Sequence, residues 1–176
     1  MPGTIQLQTS RLVLRRHVPQ DAAPLHERFG RDAVMYEYSG WNPYATPEDA
    51  AHAVNELIAS YDDPRSYAWA VEHEGRPVGT VGAYDYDPAS GSIEVGMSIE
   101  QASWGKGFAT EALAAVLHYL ADEEGIAVVT AWCAADNVGS WRAMEKAGMR
   151  RVRTEPAGLT VGDATFDKLI YEYRRA

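Results

Sequence analysis

Two glycines flank a lysine in the stretch WGKGFAT, residues 104–110, just before a run of helix-forming residues. The pattern predicts that a strand ends shortly before this loop and that a helix begins near Phe108, so the intervening backbone N–H groups have no partner inside the helix. These groups and the positive end of the helix dipole can form an anion site, which Gly105 and Gly107 would open to close approach. Lys106 either adds positive charge or faces solvent. Spacing alone is equally consistent with a phosphate cradle and with a plain strand-to-helix turn.

Two common phosphate-binding motifs do not fit this loop. A P-loop requires a lysine that is followed by Ser or Thr and preceded by an earlier glycine. Here Lys106 is followed by Gly107, and Glu100 stands where the earlier glycine would be. A dinucleotide-binding fingerprint that begins at Gly105 would need a third glycine where the chain has Thr110.

The predicted strand SIEVGMSI, residues 92–99, carries one carboxylate. Its apolar residues alternate with polar or small ones, so Glu94, Gly96 and Ser98 share one face. A carboxylate in this position is either a candidate general base or a solvated surface residue, and the strand alone leaves both open.

The sequence gives no indication of a metal site or of covalent catalysis. The five histidines are scattered, none at metal-ligand spacing beside another ligand, so we predict no metal. Cys133 is the single cysteine, which excludes an intramolecular disulfide. It lies in an apolar predicted strand, which favours a core residue over a nucleophile.

Composition and charge limit the partners. The 176 residues are 46% hydrophobic and 23% charged, which is typical of a globular protein, and we predict a single domain over residues 1–176. The net charge of −9 argues against nucleic-acid binding and is compatible with a cationic acceptor, or simply with solubility. No apolar stretch resembles a signal sequence or approaches ~18 residues, so we expect a cytoplasmic protein without a membrane partner.

Periodicity predicts the order of secondary-structure elements. Strands are expected over residues 7–17, 66–73, 77–86, 92–99, 127–134, 149–154 and 165–173, and helices over 19–29, 46–61, 108–124 and 136–148. The aromatic stretch MYEYSGWNPY, residues 35–44, is expected to be a loop. The order β-α-α-β-β-β-α-β-α-β-β describes a mixed sheet flanked by helices, in an α+β or α/β domain.

Several segments together resemble the GNAT superfamily of N-acetyltransferases. They are IEVGMSI, WGKGFATEAL and, about thirty residues after the loop, DNVGSWRAMEKAGM, with LQTSRLVLRR at the start and FDKLIYEY at the end. The likeness covers nearly the whole chain and is greatest to the branch of the ribosomal-protein N-terminal acetyltransferases RimJ and RimL. It implies the GNAT fold, an α+β sandwich-like architecture with a mixed, mostly antiparallel central sheet. It also implies acetyl transfer from acetyl-CoA to a primary amine.

The resemblance also implies which residues bind acetyl-CoA. The loop amides would hold the pyrophosphate at Trp104, Gly105, Lys106, Gly107, Phe108, Ala109 and Thr110. Tryptophan in the first of these positions departs from the broad family pattern but is typical of the RimJ/RimL branch. The backbone of Met97, Ser98 and Ile99 would face the pantetheine arm, with Gly96 at a bulge. Asn137 matches an asparagine that contacts the same arm, and it also suits a helix N-cap.

The resemblance implies direct attack by the amine in a ternary complex, without a covalent enzyme intermediate. Glu94 would be the general base, acting through ordered water, and Ser140 would stabilise the thiolate of the departing CoA. Many family members have a tyrosine where this chain has Met144, which cannot donate a proton. A backbone amide near Met97 would hold the oxyanion. The loop aromatics Tyr36, Tyr38, Trp41 and Tyr44 would either wall the acceptor site or serve packing.

The sequence is compatible with more than one class of amine acceptor. The branch suggests a protein N-terminal α-amine, and a small-molecule amine is equally compatible, since fold resemblance does not select a substrate. The alternative from another class is a non-catalytic domain that binds acyl-CoA as a sensor or partner-binding module. Dimers are common in the family, so a homodimer is allowed, but no segment identifies an interface.

Overall fold

Alternating apolar residues build a single sheet of eight strands. The structure, a computed structural model, describes residues 2–176. The strands are β1 (Leu7–Gln8), β2 (Leu12–Arg15), β3 (Tyr67–His73), β4 (Arg76–Asp87), β5 (Ser92–Ile99), β6 (Val128–Ala134), β7 (Arg150–Val161) and β8 (Ala164–Arg174). Their order in the sheet is β1-β2-β3-β4-β5-β6-β8-β7. All described neighbours run antiparallel except β5 and β6, which confirms the predicted mixed, mostly antiparallel sheet.

Four α-helices flank the sheet. They are α1 (Ala22–Leu25), α2 (Pro47–Ser60), α3 (Phe108–His118) and α4 (Val138–Lys146). A 3₁₀ turn, Pro19–Asp21, precedes α1 and a π turn, His26–Gly30, follows it, while the π turn Tyr119–Glu123 extends α3. Short 3₁₀ helices cover Ala33–Tyr36 and Gln101–Ser103. At the start of α2 the Thr46 side chain accepts a hydrogen bond from the Asp49 amide at 3.0 Å and so caps the helix.

The predicted opening strand over residues 7–17 is wrong in one respect. It is a hairpin of two short strands, β1 and β2, rather than one strand. The Thr9 side chain accepts a hydrogen bond from the Leu12 amide at 3.0 Å and closes the turn between them. A short polar side chain that bonds to the backbone a few residues on is a turn signal, and here it interrupts the strand.

Two other predictions need correction. Residues 33–36 form a 3₁₀ helix, which overlaps the start of the predicted aromatic loop at residues 35 and 36. The strand predicted over residues 149–154 extends to Val161, because β7 and β8 pair as a long hairpin. The turn of that hairpin lies at Gly162, which has a φ of +57°.

The main core lies between the sheet and the helices α3 and α4. Its fully buried residues include Trp69, Ile93, Leu117, Val129 and Tyr171. A second, smaller core of Leu25, Phe29 and Val54 joins α1 to α2. The strand residues that face away from the main core, including Glu94, are open to a ligand or to this second layer.

The segment between α1 and α2 is pinned at its two ends. His26 Nδ1 donates a hydrogen bond to the carbonyl oxygen of Tyr44 at 2.8 Å, and Asn42 Nδ2 donates one to the carbonyl of Gly30 at 2.8 Å. The phenol ring of Tyr44 packs edge-on against Phe29 at 6.4 Å between ring centroids. These contacts hold the intervening aromatic residues above the sheet.

No helix described in residues 2–176 is both long enough and apolar enough to cross a membrane.

Replacing Gly30 by alanine should destabilise the protein, because a Cβ there would overlap the Tyr44 carbonyl oxygen. Overpacking of this kind costs about 1–3 kcal/mol of unfolding free energy. Gly139→Ala is the matched control: a Cβ at Gly139 meets nothing within 4 Å, and the change to alanine favours helix α4. Urea denaturation of both variants measures the difference, and equal stabilities for G30A and G139A would contradict the pinned segment.

Candidate active site

The sheet opens in its middle, between β5 and β6. These strands pair over only three positions, residues 92–94 with residues 128–130. β5 then continues to Ile99 beside β4, and β6 continues to Ala134 beside β8. The two strands therefore separate after Glu94 and leave a gap between them.

Backbone groups of β5 line one edge of this gap. Thr130 Oγ1 donates a hydrogen bond to the carbonyl of Ile93 at 3.3 Å, so the backbone of Ile93 faces β6. The N–H and C=O groups of successive strand residues alternate between the two edges. Val95, Met97 and Ile99 therefore present their backbone groups to the gap, where no strand pairs with them.

Ser98 is turned the other way from Met97 and Ile99. It pairs with Thr80 of β4, so its backbone groups face β4 and its side chain shares a face with Glu94. Of the three strand residues predicted to meet a pantetheine arm through their backbones, two lie at the gap edge. The contact predicted for the backbone of Ser98 stays a prediction, although strand alternation turns its backbone groups toward β4.

The bulge predicted at Gly96 lies elsewhere. The pairing of β4 with β5 is regular through Gly96 and shifts instead between Tyr84 and Asp87 of β4. Asp85, within the shift, has a φ of +58°. Position 96 favours glycine for a different reason, because a Cβ there would lie 2.9 Å from the hydroxyl of Tyr84.

The glycine loop supplies unpaired amides at the start of α3. Gly105 and Gly107 have φ values of +77° and +79°, in the left-handed region that glycine adopts without strain. The first intrahelical hydrogen bond runs from the Glu111 amide to the Gly107 carbonyl at 3.1 Å. The amides of residues 108–110 precede it and have no partner inside the helix. A Cβ at Gly105 would meet nothing within 4 Å, so this side of the loop is open.

Arg11 clamps the loop from the β1–β2 hairpin. Its Nη1 donates a hydrogen bond to the Lys106 carbonyl at 2.7 Å, and its Nη2 lies 2.7 Å from Glu111 Oε2. The guanidinium also lies over the ring of Phe108 at 4.8 Å. Thr9 Oγ1 donates to the same Glu111 carboxylate at 2.6 Å. The hairpin thereby fixes the loop and the first turn of α3 as one unit.

The carboxylate of Glu111 is held ionised by these contacts. Burial raises its pKa, but the hydrogen bonds from Thr9 and Arg11 outweigh that effect and lower the pKa from 4.5 to about 2. An ionised glutamate in the first turn also complements the helix dipole.

Trp104 borders the same gap. Its indole Nε1 donates a hydrogen bond to the Ile99 carbonyl at 2.7 Å, one of the backbone groups on the open edge of β5. The side chain is half exposed, at 50%. The indole is therefore fixed at one end and free to contact a ligand along its face.

The start of α4 lies at the far side of the gap. Asn137 occupies the N-cap position, yet its side chain makes no capping hydrogen bond, which leaves its amide free for a ligand. Burial raises the pKa of the Cys133 thiol to about 11, against a smaller lowering by a hydrogen bond with Ser140. Cys133 is thus a buried, protonated core residue, as predicted, and it places Ser140 beside the end of β6. Met144 is buried and belongs to the main core.

Glu94 stands where the gap begins. It pairs with Tyr84 of β4 on one side and Thr130 of β6 on the other. Its side chain is partly exposed on the face opposite the main core. On the same face, farther along β6, Trp132 lies under the ammonium group of Lys168 at 4.6 Å.

The four loop aromatics are placed differently from one another. Tyr38 packs edge-on against Phe166 of β8 at 5.2 Å, so the loop spans the sheet face beyond β6. Burial raises the pKa of Tyr44, against a lowering by a hydrogen bond with Thr80 of β4.

Tyr36 is half-buried, and burial raises the pKa of its hydroxyl to about 12. Trp41 is 73% exposed, so it makes little contact with the rest of the protein.

Three residues near the gap were missed from the sequence. Arg11 and Glu111 are far apart along the chain, and no local pattern signals their contact. Tyr84 could have been noticed only from its register opposite Glu94, which a single strand does not reveal.

The residues 2–176 contain no group of three or more His, Cys, Asp or Glu side chains arranged to hold a metal ion. The expectation that no metal is required remains a prediction. A cavity of about 380 Å³ lies past the end of β5, lined by Arg28, Asp32, Glu100, Gln101 and Ala102.

Comparison with known proteins identifies the family that has this architecture. A family model described as an acetyltransferase (GNAT) domain matches residues 11–150. The N-acetyltransferase YoaA of Bacillus subtilis is 29% identical over 147 residues, which is 82% of each chain.

Two solved structures share the fold over nearly their whole length. A GNAT-family acetyltransferase from Bacillus anthracis is 26% identical, with a TM-score of 0.83 over 97% of this chain and 98% of that one. RimL, the ribosomal L7/L12 alpha-N-protein acetyltransferase in complex with coenzyme A, has a TM-score of 0.87 over 97% and 98% at 16% identity. The second likeness shows the fold alone.

Glu111→Gln should lower the free energy of unfolding at neutral pH by about 1–2 kcal/mol, because the clamp loses its charge and solvent screens the half-exposed Arg11. Since the pKa of Glu111 falls from 4.5 to about 2 on folding, its stabilisation is complete above about pH 4.5 and is lost as the pH falls toward 2. E111Q should therefore lose stability less steeply than the unmodified protein below pH 4.5.

Urea denaturation at a series of pH values measures this difference. Glu27→Gln is the control, since Glu27 is exposed and the described residues give it no ion pair. Parallel pH profiles for E111Q and the unmodified protein would contradict the assigned role of the clamp.

Proposed function

The chain belongs to the GNAT family and is an N-acetyltransferase, and we propose that it transfers the acetyl group of acetyl-CoA to a primary amine by direct attack in a ternary complex. In this proposal residues 1–176 act as one N-acetyltransferase domain. The observation that carries it is the juxtaposition of the gap after Glu94 with the unpaired amides of residues 105–110.

The residues present fit acetyl-CoA. The pyrophosphate is anionic, and the amides at the start of α3 offer donors, backed by the positive end of a helix of 11 residues. Left-handed glycines and the open side of Gly105 leave room for it. The amide groups of the pantetheine arm can pair with the free edge of β5 at Met97 and Ile99, much as an added strand would.

When bound, acetyl-CoA supplies an activated thioester, and the side chains around the gap accept and donate protons. An alkylammonium must lose a proton before it can attack. Glu94 is positioned to accept that proton, directly or through ordered water, because it lies where the strands diverge. The Met97 amide faces the gap and is positioned to hold the oxygen that becomes negatively charged.

Ser140 and Asn137 act on the far side of the gap. The Ser140 hydroxyl would donate a hydrogen bond to the departing sulfur, a role suited to a group whose pKa is too high for an efficient acid. The free side-chain amide of Asn137 would bind the pantetheine arm. Trp104, Gly105, Lys106, Gly107, Phe108, Ala109 and Thr110 would form the pyrophosphate end of the site.

The acceptor is an amine presented on the Glu94 face of the sheet. Tyr38 and Tyr44 bound this face, and Tyr36 and Trp41 belong to the same segment. The structural likeness to RimL supports a protein N-terminal α-amine, and the net charge of −9 would favour any cationic amine. We place the chain in the RimJ/RimL-like branch on the segments that resemble it.

Thr110→Glu should weaken acetyl-CoA binding at least tenfold, because it sets a carboxylate where the pyrophosphate would lie. A glutamate in the first turn of α3 suits the helix dipole, so the fold should be preserved. Ala114→Glu, one turn farther along the same helix, is the matched control and should bind normally. Calorimetric titration with acetyl-CoA measures both, and no binding by the unmodified protein would remove the proposed cradle.

Glu94→Gln and Ser140→Ala should each lower turnover about 10²-fold while acetyl-CoA affinity stays unchanged. A free-thiol assay with a panel of peptide N-termini and small amines measures turnover, and calorimetry measures affinity. Acetyl-CoA binding without transfer to any amine would favour the non-catalytic sensor instead. Unchanged turnover in both variants would contradict the roles assigned to these side chains.

A further inference from the structure

Tyr84 lies on the acceptor face of the sheet, directly opposite Glu94. The two residues are register partners of β4 and β5. The tyrosine is 45% exposed although it sits in the middle of the sheet, so a ligand on this face can reach it. None of the roles described so far uses it.

The hydroxyl of Tyr84 reaches along β5 to Gly96. A Cβ at Gly96 would lie 2.9 Å from this hydroxyl and 3.5 Å from the ring carbon Cε1. Since Tyr84 starts opposite Glu94, its ring must lean from Glu94 toward Gly96. The hydroxyl therefore lies over Gly96, between Glu94 and the Met97 position whose amide would face the thioester.

Two glycines make room for this orientation. Gly82 and Gly96 are register partners on the same face, and a Cβ at Gly82 would lie 4.0 Å from the Cδ1 atom of Tyr84. Any side chain at Gly96 would displace the hydroxyl. The pair forms a glycine floor beneath the tyrosine ring.

A strained bulge follows Tyr84 immediately. The register of β4 against β5 shifts between Tyr84 and Asp87, and Asp85 adopts a left-handed φ of +58°. Bulges redirect side chains near active sites, and left-handed conformations of residues other than glycine cost energy that the fold must compensate. Both features set the direction of Tyr84.

We propose that the Tyr84 hydroxyl is a catalytic proton relay between the acceptor ammonium and Glu94, an inference that rests on the proposed acetyl transfer. The phenol oxygen accepts a proton from the ammonium as the phenol releases its own proton to the Glu94 carboxylate. The N–H bond of the ammonium and the O–H bond of the phenol break, and new O–H bonds form on the phenol and on Glu94. The net products are a neutral amine and a protonated Glu94, with Tyr84 unchanged.

The charge state of Tyr84 suits a relay rather than a base. Burial and the nearby Glu94 carboxylate both raise the pKa of its hydroxyl above the usual tyrosine value. It therefore remains a phenol at neutral pH, able to donate to Glu94 and to accept from the ammonium at the same time.

The test compares Tyr84→Phe with the unmodified protein across pH, with the amine that the unmodified protein acetylates fastest in the panel. Phenylalanine keeps the ring over the glycine floor and removes only the hydroxyl. At neutral pH kcat should fall about 10–100-fold with the acetyl-CoA Kd unchanged. The deficit should shrink as the pH rises toward the pKa of the acceptor, because solvent then supplies the neutral amine.

Three comparisons complete the experiment. Tyr86→Phe, which removes a hydroxyl next to the same bulge, should leave kcat unchanged. Tyr84→Phe combined with Glu94→Gln should be little slower than Glu94→Gln alone, since both act in one proton path. A deficit of Y84F that is constant with pH, or fully additive with E94Q, would overturn the relay while acetyl transfer stands. No transfer by the unmodified protein to any amine would overturn the proposed function, and the relay with it.

Discussion

β5 and β6 share only three paired positions, and the features of the site follow from their separation beyond Glu94. Each strand is held on its other side, β5 by β4 and β6 by β8, so the gap is a stable feature rather than a frayed edge. It exposes the backbone groups of Met97 and the amide of Ile99 in the interior of a sheet, where unpaired groups are otherwise costly. A bound pantetheine arm would satisfy them, which is why the gap supports a binding function.

The contacts around the gap come from distant parts of the chain. Arg11 and Thr9 reach from the first hairpin to Glu111 and tie the glycine loop to the sheet edge. The indole of Trp104 donates a hydrogen bond to the Ile99 carbonyl at the end of the open edge. Anion binding at the loop and pairing along β5 are thereby fixed in one geometry, so the pyrophosphate and the thioester can be held at the same time.

Local sequence patterns predict the strands and helices, but they do not predict the contacts between them. The strand over residues 92–99 and the start of α3 at Phe108 follow from a clear period of two and a clear helical period. The bulge predicted at Gly96 is wrong because the register between two strands is not encoded in either strand alone. The space that a side chain would take at Gly96 is occupied by the hydroxyl of Tyr84. Arg11 was missed because its partner lies 100 residues away. The predicted opening strand is too long because the hydrogen bond from the Leu12 amide to the Thr9 side chain competes with strand pairing.

Amide hydrogen exchange with and without acetyl-CoA tests the central claim most directly. The account predicts that acetyl-CoA slows exchange at the amides of residues 105–110 and at Met97 and Ile99. The amide of Ser98, already directed toward β4, and those along the outer edge of β7 should not change. Protection confined to other regions, or the same small change throughout the chain, would contradict the assignment of the gap and the glycine loop as the acetyl-CoA site.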